Sequence, residues 1–253
     1  MPHRNIDAAD FDAADLEARV RALEAQCDAL RHDQDVLALG LSHDLRSPLR
    51  AIESFSYLLE QRGAQLDDQA RDHLRRIREA SARMGRLVSR LNTYLQAGSA
   101  PLDKTDVDLP LLADWCIAEL RDADPQREPD IGIELAPGLQ VRGDERLLRT
   151  VLKELLHNAW TYAAGDRPAR IRIEGERADD GVHLRIRDDG IGFDSAVATK
   201  LGEPFQRLHV ATHSEGTGLG IAIATRIVER HGGTLRIEGR EGAGTVAHLV
   251  LPT

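Results

Sequence analysis

The sequence has 253 residues, with 42 acidic residues against 33 lysines and arginines and a formal net charge of -9. This length is sufficient for one large domain or two modest ones with buried cores. The acidic balance excludes a broad nucleic-acid-binding face, and the two cysteines, Cys27 and Cys116, lack metal-binding or redox spacing, which fits a reducing compartment.

Residues 1–12 are acidic and lack the apolar core of a signal peptide, so we expect a disordered leader. No apolar run approaches the roughly 18 residues that are needed to cross a bilayer. The sequence therefore predicts a cytoplasmic protein with no direct membrane span. Any signal from a membrane would have to come through an upstream sensor protein as a partner.

The apolar positions of residues 13–40 alternate at steps of four and three. The first of these apolar positions are Leu16, Val20, Leu23, Cys27 and Leu30. This spacing is typical of the seam of a coiled coil. The alternative, a lone amphipathic helix on a globular core, would widen the apolar stripe. We therefore predict a coiled-coil signalling helix that pairs two chains.

Two further helices are predicted over residues 41–98. The alternating pattern continues to Leu59 and breaks at QRGAQLDD, where Asp67 or Asp68 can cap the next helix. A second helix with the same spacing follows, up to Leu95. A hairpin this narrow cannot bury its seam alone, so we expect two copies to form a four-helix bundle in a homodimer.

A linker is expected at residues 99–105, and beyond it short strands alternate with helices. The strand patterns cover residues 131–135, 169–175, 182–188, 234–239 and 245–251. Helices are predicted at residues 110–123, 144–163 and 216–231. This order indicates an α+β domain over residues 106–253, with a layer of helices on one face of a sheet.

Two glycine-rich stretches can approach a ligand closely. RDDGIGFD directly follows a strand pattern, which places Asp188 at the strand end, before Gly190 and Gly192. SEGTGLGIAIA puts three glycines at the start of an apolar-striped helix, whose free N–H groups and dipole favour phosphate. Neither stretch is a Walker or GxGxxG sequence, and each alone is better explained as a turn than as a site.

The stretch KELLHNAWTYA places Glu154 and Asn158 four residues apart on one face of a predicted helix. Stacked oxygen-bearing side chains of this kind suit Mg²⁺, a hard ion that bridges phosphates. Taken alone, the same pair is also explained as a solvated polar stripe.

In the order Asn158, DDGIG, EPFQRL and GTGLG, these motifs resemble the ATP-binding domain of the histidine kinases. That fold is shared with the GHKL group of type II topoisomerases, Hsp90 chaperones and the mismatch-repair protein MutL. LSHDLRSPLR resembles the phosphoacceptor box of HisKA-type two-component sensor kinases. The implied fold is an all-α dimeric helical hairpin, a four-helix bundle in the dimer with an N-terminal coiled coil, followed by an α+β GHKL (Bergerat) two-layer sandwich.

The resemblance implies roles for residues of the first box. His43 would be the phosphoacceptor, and Asp44 would orient or deprotonate its imidazole. Ser47 stands where the family usually has Thr or Asn, which helps water to attack the partner's aspartyl phosphate.

The resemblance also implies an ATP site with Mg²⁺. Asp188 would bind the adenine amino group, with Gly190 and Gly192 at the pocket floor and Tyr162 against the ring. Asn158, assisted by Glu154, would hold Mg²⁺. Residues 195–215 would form a lid over ATP, anchored by Phe205. The phosphate-binding stretch would be Gly216, Thr217, Gly218, Leu219 and Gly220.

One position departs from the family pattern near the phosphates. The family often has Lys or Arg three residues after the metal-binding asparagine, where this chain has Thr161. Arg207, in the EPFQRL motif, is the candidate that would replace this charge.

Pro48 follows His43 by about one helical turn. It has no N–H for the carbonyl of Asp44, and its ring crowds that carbonyl, so we expect the helix to bend just past His43. We interpret this bend as a switch that exposes or hides His43; the alternative is a proline that merely kinks a bundle helix.

The expected activity is autophosphorylation of His43 by ATP, followed by transfer to an aspartate on a response-regulator receiver domain. Two alternatives remain at this point. A degenerate kinase would dimerise and act as a scaffold, and a GHKL clamp would use ATP to close the dimer mechanically.

Overall fold

The structure, a computed structural model, describes residues 19–22, 40, 44–61, 66–125, 130–162, 170–194, 201–206 and 216–252. The predicted leader, residues 1–12, lies outside the described residues. Of the predicted coiled-coil helix, residues 19–22 and 40 are described, and they are helical.

The N-terminal part is a pair of helices. Helix α1 covers residues 44–61, which are helical throughout, including Pro48. Helix α2 spans Asp68–Ser99 and is capped by Asp67, whose carboxylate accepts a hydrogen bond from the Ala70 N–H at 2.7 Å. Of the two predicted caps, Asp67 is therefore the residue that serves.

The two helices are joined by a few polar contacts. The hydroxyl of Ser81 on α2 donates to the carbonyl oxygen of Leu49 on α1 at 3.4 Å, and Arg78 pairs with Glu60. Several apolar side chains of the pair stay exposed in the single chain: Leu45, Ile52, Phe55, Leu58, Leu59, Ile77 and Met84. The hairpin thus leaves part of its apolar seam uncovered.

The residues described after α2 form three helices and seven strands. In chain order they are β1 (Thr105–Asp108), α3 (Leu109–Ala123), β2 (Asp130–Leu135), β3 (Gln140–Gly143), α4 (Glu145–Thr161), β4 (Arg170–Ala178), β5 (Gly181–Asp188), α5 (Gly220–Arg230), β6 (Thr234–Arg240) and β7 (Gly244–Leu251). The predicted strands and helices are all present.

Five strands form one sheet in the order β2-β4-β5-β7-β6. Strands β2 and β4 are parallel, and the other neighbours are antiparallel. Strands β1 and β3 form a separate antiparallel pair that the sequence did not predict. Each strand is four residues long and has one buried apolar side chain, Val107 in β1 and Val141 in β3, so no alternation was visible.

The sheet buries one face under the helices. Along β5, the buried side chains are every second residue, Val182, Leu184, Ile186 and Asp188. They belong to, or adjoin, a core shared with α3, α4 and α5. The predicted layer of helices on one sheet face is confirmed, and the alternation turns Asp188 toward that layer.

The end of α2 packs into this same core. Ala97 is buried in it, and Leu91 and Tyr94 pack against it. Arg230 of α5 donates hydrogen bonds to the carbonyl oxygens of Ala97 and Ala100, at 2.8 and 2.5 Å. The predicted domain border at residues 98–99 therefore falls at the end of α2, which is anchored to the second unit, the α+β domain.

Among the described residues, no helix combines the length and the apolar character that a membrane crossing requires.

Asp144 and His231 form a buried polar contact between α4 and α5. Asp144 caps α4: its carboxylate accepts from the N–H groups of Arg146, Leu147 and Asp103, at 3.1, 3.3 and 3.1 Å. Its own N–H donates to Nε2 of His231 at 3.0 Å, and Nδ1 of that ring donates to the Ile227 carbonyl at 2.8 Å. Burial opposes ionisation of Asp144, but the donors outweigh it and hold its pKa below the ordinary 3.8.

Replacing this cap should destabilise the fold. We expect Asp144→Ala to cost about 2 kcal/mol of unfolding free energy, because three part-buried N–H donors lose their acceptor. Asp108→Ala is the control; it removes the α3 cap, which accepts one N–H, from Leu111 at 2.9 Å, and should cost about 1 kcal/mol. Urea unfolding measures both.

The pH dependence follows from the lowered pKa of Asp144. A carboxylate whose pKa is lower in the folded than in the unfolded state contributes its full stability above the unfolded-state pKa. This contribution is lost as the pH falls through the folded-state pKa. The difference in unfolding free energy between the native chain and Asp144→Ala should therefore be the same at pH 7 and pH 5. A difference that already shrinks over that range would contradict this account.

Candidate functional site

One cavity of about 740 Å³ is lined by residues of α2, α3, α4, the sheet strands β5, β6 and β7, and the start of α5. Its volume lies in the range of small-molecule sites. Many of the predicted ligand-binding residues meet there: Glu154, Asn158, Tyr162, Asp188, Gly192, Gly216, Thr217, Gly218 and Gly220. Residues as distant in sequence as Glu154 and Gly220 thus converge on one site.

Asp188 is held rigidly at the end of β5. Its Oδ1 accepts hydrogen bonds from the N–H groups of Gly190 and Thr245, at 2.8 and 3.1 Å. Both of these bonds end on Oδ1, so Oδ2 is the oxygen that can accept from a ligand. Burial raises the pKa of Asp188, with the two N–H donors acting in the opposite direction.

The glycines after Asp188 allow chain segments to approach each other. A Cβ on Gly190 would lie 2.7 Å from Asp188 Oδ1 and would also meet the Tyr162 carbonyl oxygen. Gly192 has a φ of 60°, and a Cβ there would meet the Arg240 carbonyl. Gly192 lines the cavity, whereas Gly190 is absent from its lining and acts by positioning Asp188 and Tyr162.

The start of α5 presents backbone donors to the cavity. The helix begins at Gly220, four residues later than predicted, and its N-cap, Leu219, provides no side-chain acceptor. First-turn N–H groups without such an acceptor favour an anion. Leu219 was predicted to bind the ligand, but its side chain is fully buried in the core, so only its backbone is left for that role.

Phe205 supports the glycine-rich loop from outside. Its N–H donates to the Gly218 carbonyl at 2.9 Å, and both residues have positive φ, 66° and 72°. The Phe205 side chain is exposed and absent from the lining, while Leu201 and Gln206 of the predicted lid line the cavity. Arg207 lies outside the described residues.

Glu154 and Asn158 lie near the first turn of α5. A Cβ on Gly220 would be 2.8 Å from Glu154 Oε2 and 3.8 Å from Asn158 Nδ2. Within the described residues, no group of three His, Cys, Asp or Glu side chains could hold a metal ion. One carboxylate and one amide fit Mg²⁺ that takes its other ligands from water and phosphate.

Three residues of α2 also line the cavity, and the sequence analysis missed them: Arg86, Ser89 and Arg90. They lie on a helix that was assigned to the hairpin. Only the packing of α2 against the second unit brings them to the site, so helical spacing alone gave no signal.

The phosphoacceptor box is separate from this cavity in the described residues. His43 lies outside them. Asp44 and Ser47 are exposed on α1 and do not line the cavity.

Comparisons with known proteins agree with this fold. Residues 143–253 match the family model described as "Histidine kinase-, DNA gyrase B-, and HSP90-like ATPase". Residues 34–99 match the model of the "His Kinase A (phospho-acceptor) domain". The second unit is thus an ATPase-type domain, which supports ATP as its ligand. With the phospho-acceptor domain before it, the chain belongs to the histidine kinases, and the resemblance seen in the sequence is confirmed.

Two relatives show the extent of the similarity. The phytochrome-like protein Cph1 of Synechocystis is 31% identical over 214 residues, which cover 83% of this chain and 28% of Cph1. The phosphate regulon sensor protein PhoR of Pseudomonas aeruginosa is 31% identical over 230 residues, which cover 87% of this chain and 49% of PhoR. The chain therefore spans less than half of either relative.

Solved structures confirm the predicted fold class. A structure of the mycobacterial sensor histidine kinase MprB has a TM-score of 0.53 and 28% identity, and covers 58% of this chain and 97% of that one. Full-length ShkA in complex with AMPPNP has a TM-score of 0.66 over 85% of this chain and 45% of its own. At 24% identity, ShkA shows a likeness of fold alone.

Proposed function

We propose that this chain is the kinase part of a two-component sensor. It would transfer the terminal phosphoryl group of ATP to His43 and then to an aspartate of a response-regulator receiver domain. The observation that carries the proposal is the combination, in one chain, of a phospho-acceptor domain and an ATPase-type domain with a cavity built around Asp188, Asn158 and the start of α5.

The proposed boundaries are those of the sequence: a leader at 1–12, a signalling helix at 13–40, the phosphotransfer domain at 41–98, a linker at 99–105 and the ATP-binding domain at 106–253. The anchored end of α2 supports a short and constrained connection between the last two domains.

ATP would lie with its adenine near Asp188 and its phosphates near α5. Oδ2 of Asp188 would accept a hydrogen bond from the adenine amino group, and Tyr162, which lines the cavity, would lie against the ring. The N–H groups of the glycine-rich turn would hold the phosphates at the positive end of the α5 dipole.

Mg²⁺ would be held by Asn158 with help from Glu154. When bound, the ion neutralises charge on the phosphates, which phosphoryl transfer requires. Glu154 is a buried carboxylate, 8% exposed at its side chain, and its cation in the structure is Arg90. Mg²⁺ would compensate the same cost of burial.

His43 would be the nucleophile. Near pH 7 a neutral imidazole nitrogen can attack phosphorus directly, because its unperturbed pKa is about 6.5. The new N–P bond forms as the bond between the terminal phosphorus and the bridging oxygen breaks, and ADP leaves. Asp44 would accept the N–H of the other ring nitrogen and stabilise the positive charge on the ring.

The proposed assembly is a homodimer. The apolar side chains that the hairpin leaves exposed, including Phe55, Leu58 and Met84, would be covered by the same residues of a second copy. An upstream sensor protein and a receiver domain are the further proposed partners.

Labelling with ATP distinguishes the kinase from a scaffold and from a clamp. With γ-labelled ATP and Mg²⁺, we expect an acid-labile label that is lost in His43→Gln. His73→Gln, at an exposed histidine of α2, is the matched control and should label normally. A protein that binds ATP without taking label would be a scaffold, and one that releases phosphate without keeping label would be a clamp.

Adenine recognition can be tested at Asp188. Asp188→Asn keeps an oxygen for Gly190 and Thr245 but presents an NH₂ group to the adenine amino group. We expect at least about a tenfold loss of ADP affinity, as a charge-assisted hydrogen bond contributes roughly 1.5–3 kcal/mol. Calorimetric titration measures the affinity.

The pH dependence of that affinity has a defined sign. The ionised carboxylate is the better acceptor, and its raised pKa means that protonation begins at a higher pH than for an ordinary aspartate. The affinity of the native chain should therefore fall as the solution is acidified, starting above pH 3.8, more steeply than that of Asp188→Asn. Parallel pH profiles would refute this role.

The role proposed for Pro48 concerns the phosphoacceptor turn. Pro48→Ala restores a backbone donor inside α1 and should change the rate of His43 phosphorylation several-fold while nucleotide affinity stays constant. Pro101→Ala, in the exposed segment after α2, is the control. An unchanged labelling rate would reduce Pro48 to a simple kink.

A further inference from the structure

An ion pair connects the hairpin to the ATP-binding domain inside the cavity. Both terminal guanidinium nitrogens of Arg90, on α2, donate to the two carboxylate oxygens of Glu154, on α4. The Glu154 side chain is 8% exposed and that of Arg90 is 32% exposed. The pair occupies both oxygens of the carboxylate that was assigned to the metal.

The packing of α2 holds Arg90 in this position. Leu91 and Tyr94, just beyond Arg90, pack against the domain core. The guanidinium of Arg226 lies over the Tyr94 ring, 4.7 Å from its centroid. Arg90 is thus the last part of α2 to reach the cavity before the helix enters the core.

The Arg90 guanidinium also lies at the phosphate end of the cavity. A Cβ on Gly220 would be 3.3 Å from Arg90 Nη2, close to Glu154 Oε2 and Asn158 Nδ2. Arg90 therefore occupies the space where the proposed function places the metal and the phosphates. Two cations would compete there for one carboxylate.

We propose that Arg90 and Mg²⁺ are alternative partners of Glu154, so that loading of Mg-nucleotide detaches Arg90, and with it this turn of α2, from the ATP-binding domain. The inference rests on the proposed function. A buried carboxylate that is left without a cation is unfavourable, and Mg²⁺ removes that penalty when Arg90 leaves.

This exchange couples the binding of Mg-nucleotide to the release of Arg90 from Glu154, and the coupling is reciprocal. If Mg-nucleotide weakens the Arg90 contact, the Arg90 contact must weaken Mg-dependent binding by the same factor. The effect is specific to Mg²⁺, because nucleotide without metal does not compete for Glu154. An arginine that simply contacts the phosphates would act in the opposite direction.

The first test compares nucleotide affinity with and without the metal. The affinity for ADP is measured by calorimetry in Mg²⁺ and in excess EDTA, for the native chain, Arg90→Gln and Arg83→Gln. Arg83 is an exposed arginine of the same helix that does not line the cavity, so its variant matches the charge change. We expect the gain in affinity due to Mg²⁺ to grow about tenfold in Arg90→Gln, within the usual range of coupling between sites, and to stay constant in Arg83→Gln.

The outcomes separate the inference from the function on which it rests. Absence of ADP binding in the native chain under both conditions would refute the proposed function. Normal ADP binding with an equal effect of Mg²⁺ in Arg90→Gln and the native chain would refute the competition alone. A loss of affinity in Arg90→Gln under both conditions would make Arg90 a phosphate ligand and would also overturn the inference.

Two further measurements guard against a folding defect in the variant. Arg90→Lys keeps the charge without the bidentate geometry and should show an intermediate effect of Mg²⁺. In the native chain, amide hydrogen exchange of residues 86–93 should accelerate with Mg-ADP but not with ADP in EDTA. Protection of this segment by Mg-ADP would contradict detachment.

Discussion

Helix α5 joins the two ends of the proposed machinery, and its burial is the constraint on which the arrangement depends. Its first residue, Gly220, lines the cavity, and its last, Arg230, holds the carbonyl groups at the end of α2. Ile223, Ala224 and Ile227 between them are fully buried. With 11 residues the helix is about 16 Å long, so a packed element connects the glycine-rich end of the cavity to the end of α2.

The site itself depends on strand alternation. Asp188 shares the buried face of β5 with Val182, Leu184 and Ile186, and this places a carboxylate beneath the helix layer at the strand end. The same alternation was legible in the sequence, which is why the location of Asp188 could be predicted. Its two backbone donors could be predicted only in part. Gly190 is two residues away, whereas Thr245 is brought in by the pairing of β5 with β7, which no local pattern reveals.

Local signals predicted the rest of the fold to a similar degree. The long helices and the five sheet strands have strong periodic patterns, and their ends were displaced by a few residues at most. Strands β1 and β3 were missed because each is four residues long with little apolar content. Glycine composition was informative but ambiguous: it indicated a close approach near Asp188, and at Gly190 the approaching partner is the chain itself. Arg90 was missed because its role comes entirely from tertiary packing.

The charge of the cavity depends on both the ATP-binding domain and the helical hairpin. The position where the family often carries a cation holds Thr161, while α2 contributes Arg86 and Arg90 to the lining. The guanidinium of Arg90 beside Gly220 and Glu154 thus comes from the helix that also belongs to the predicted phosphoacceptor hairpin. Because an anionic ligand responds to every cation within a few ångströms, its affinity becomes sensitive to where α2 lies. The ATP-binding domain separated from α2 would consequently be a different binding site, with Glu154 deprived of the cation that neutralises it.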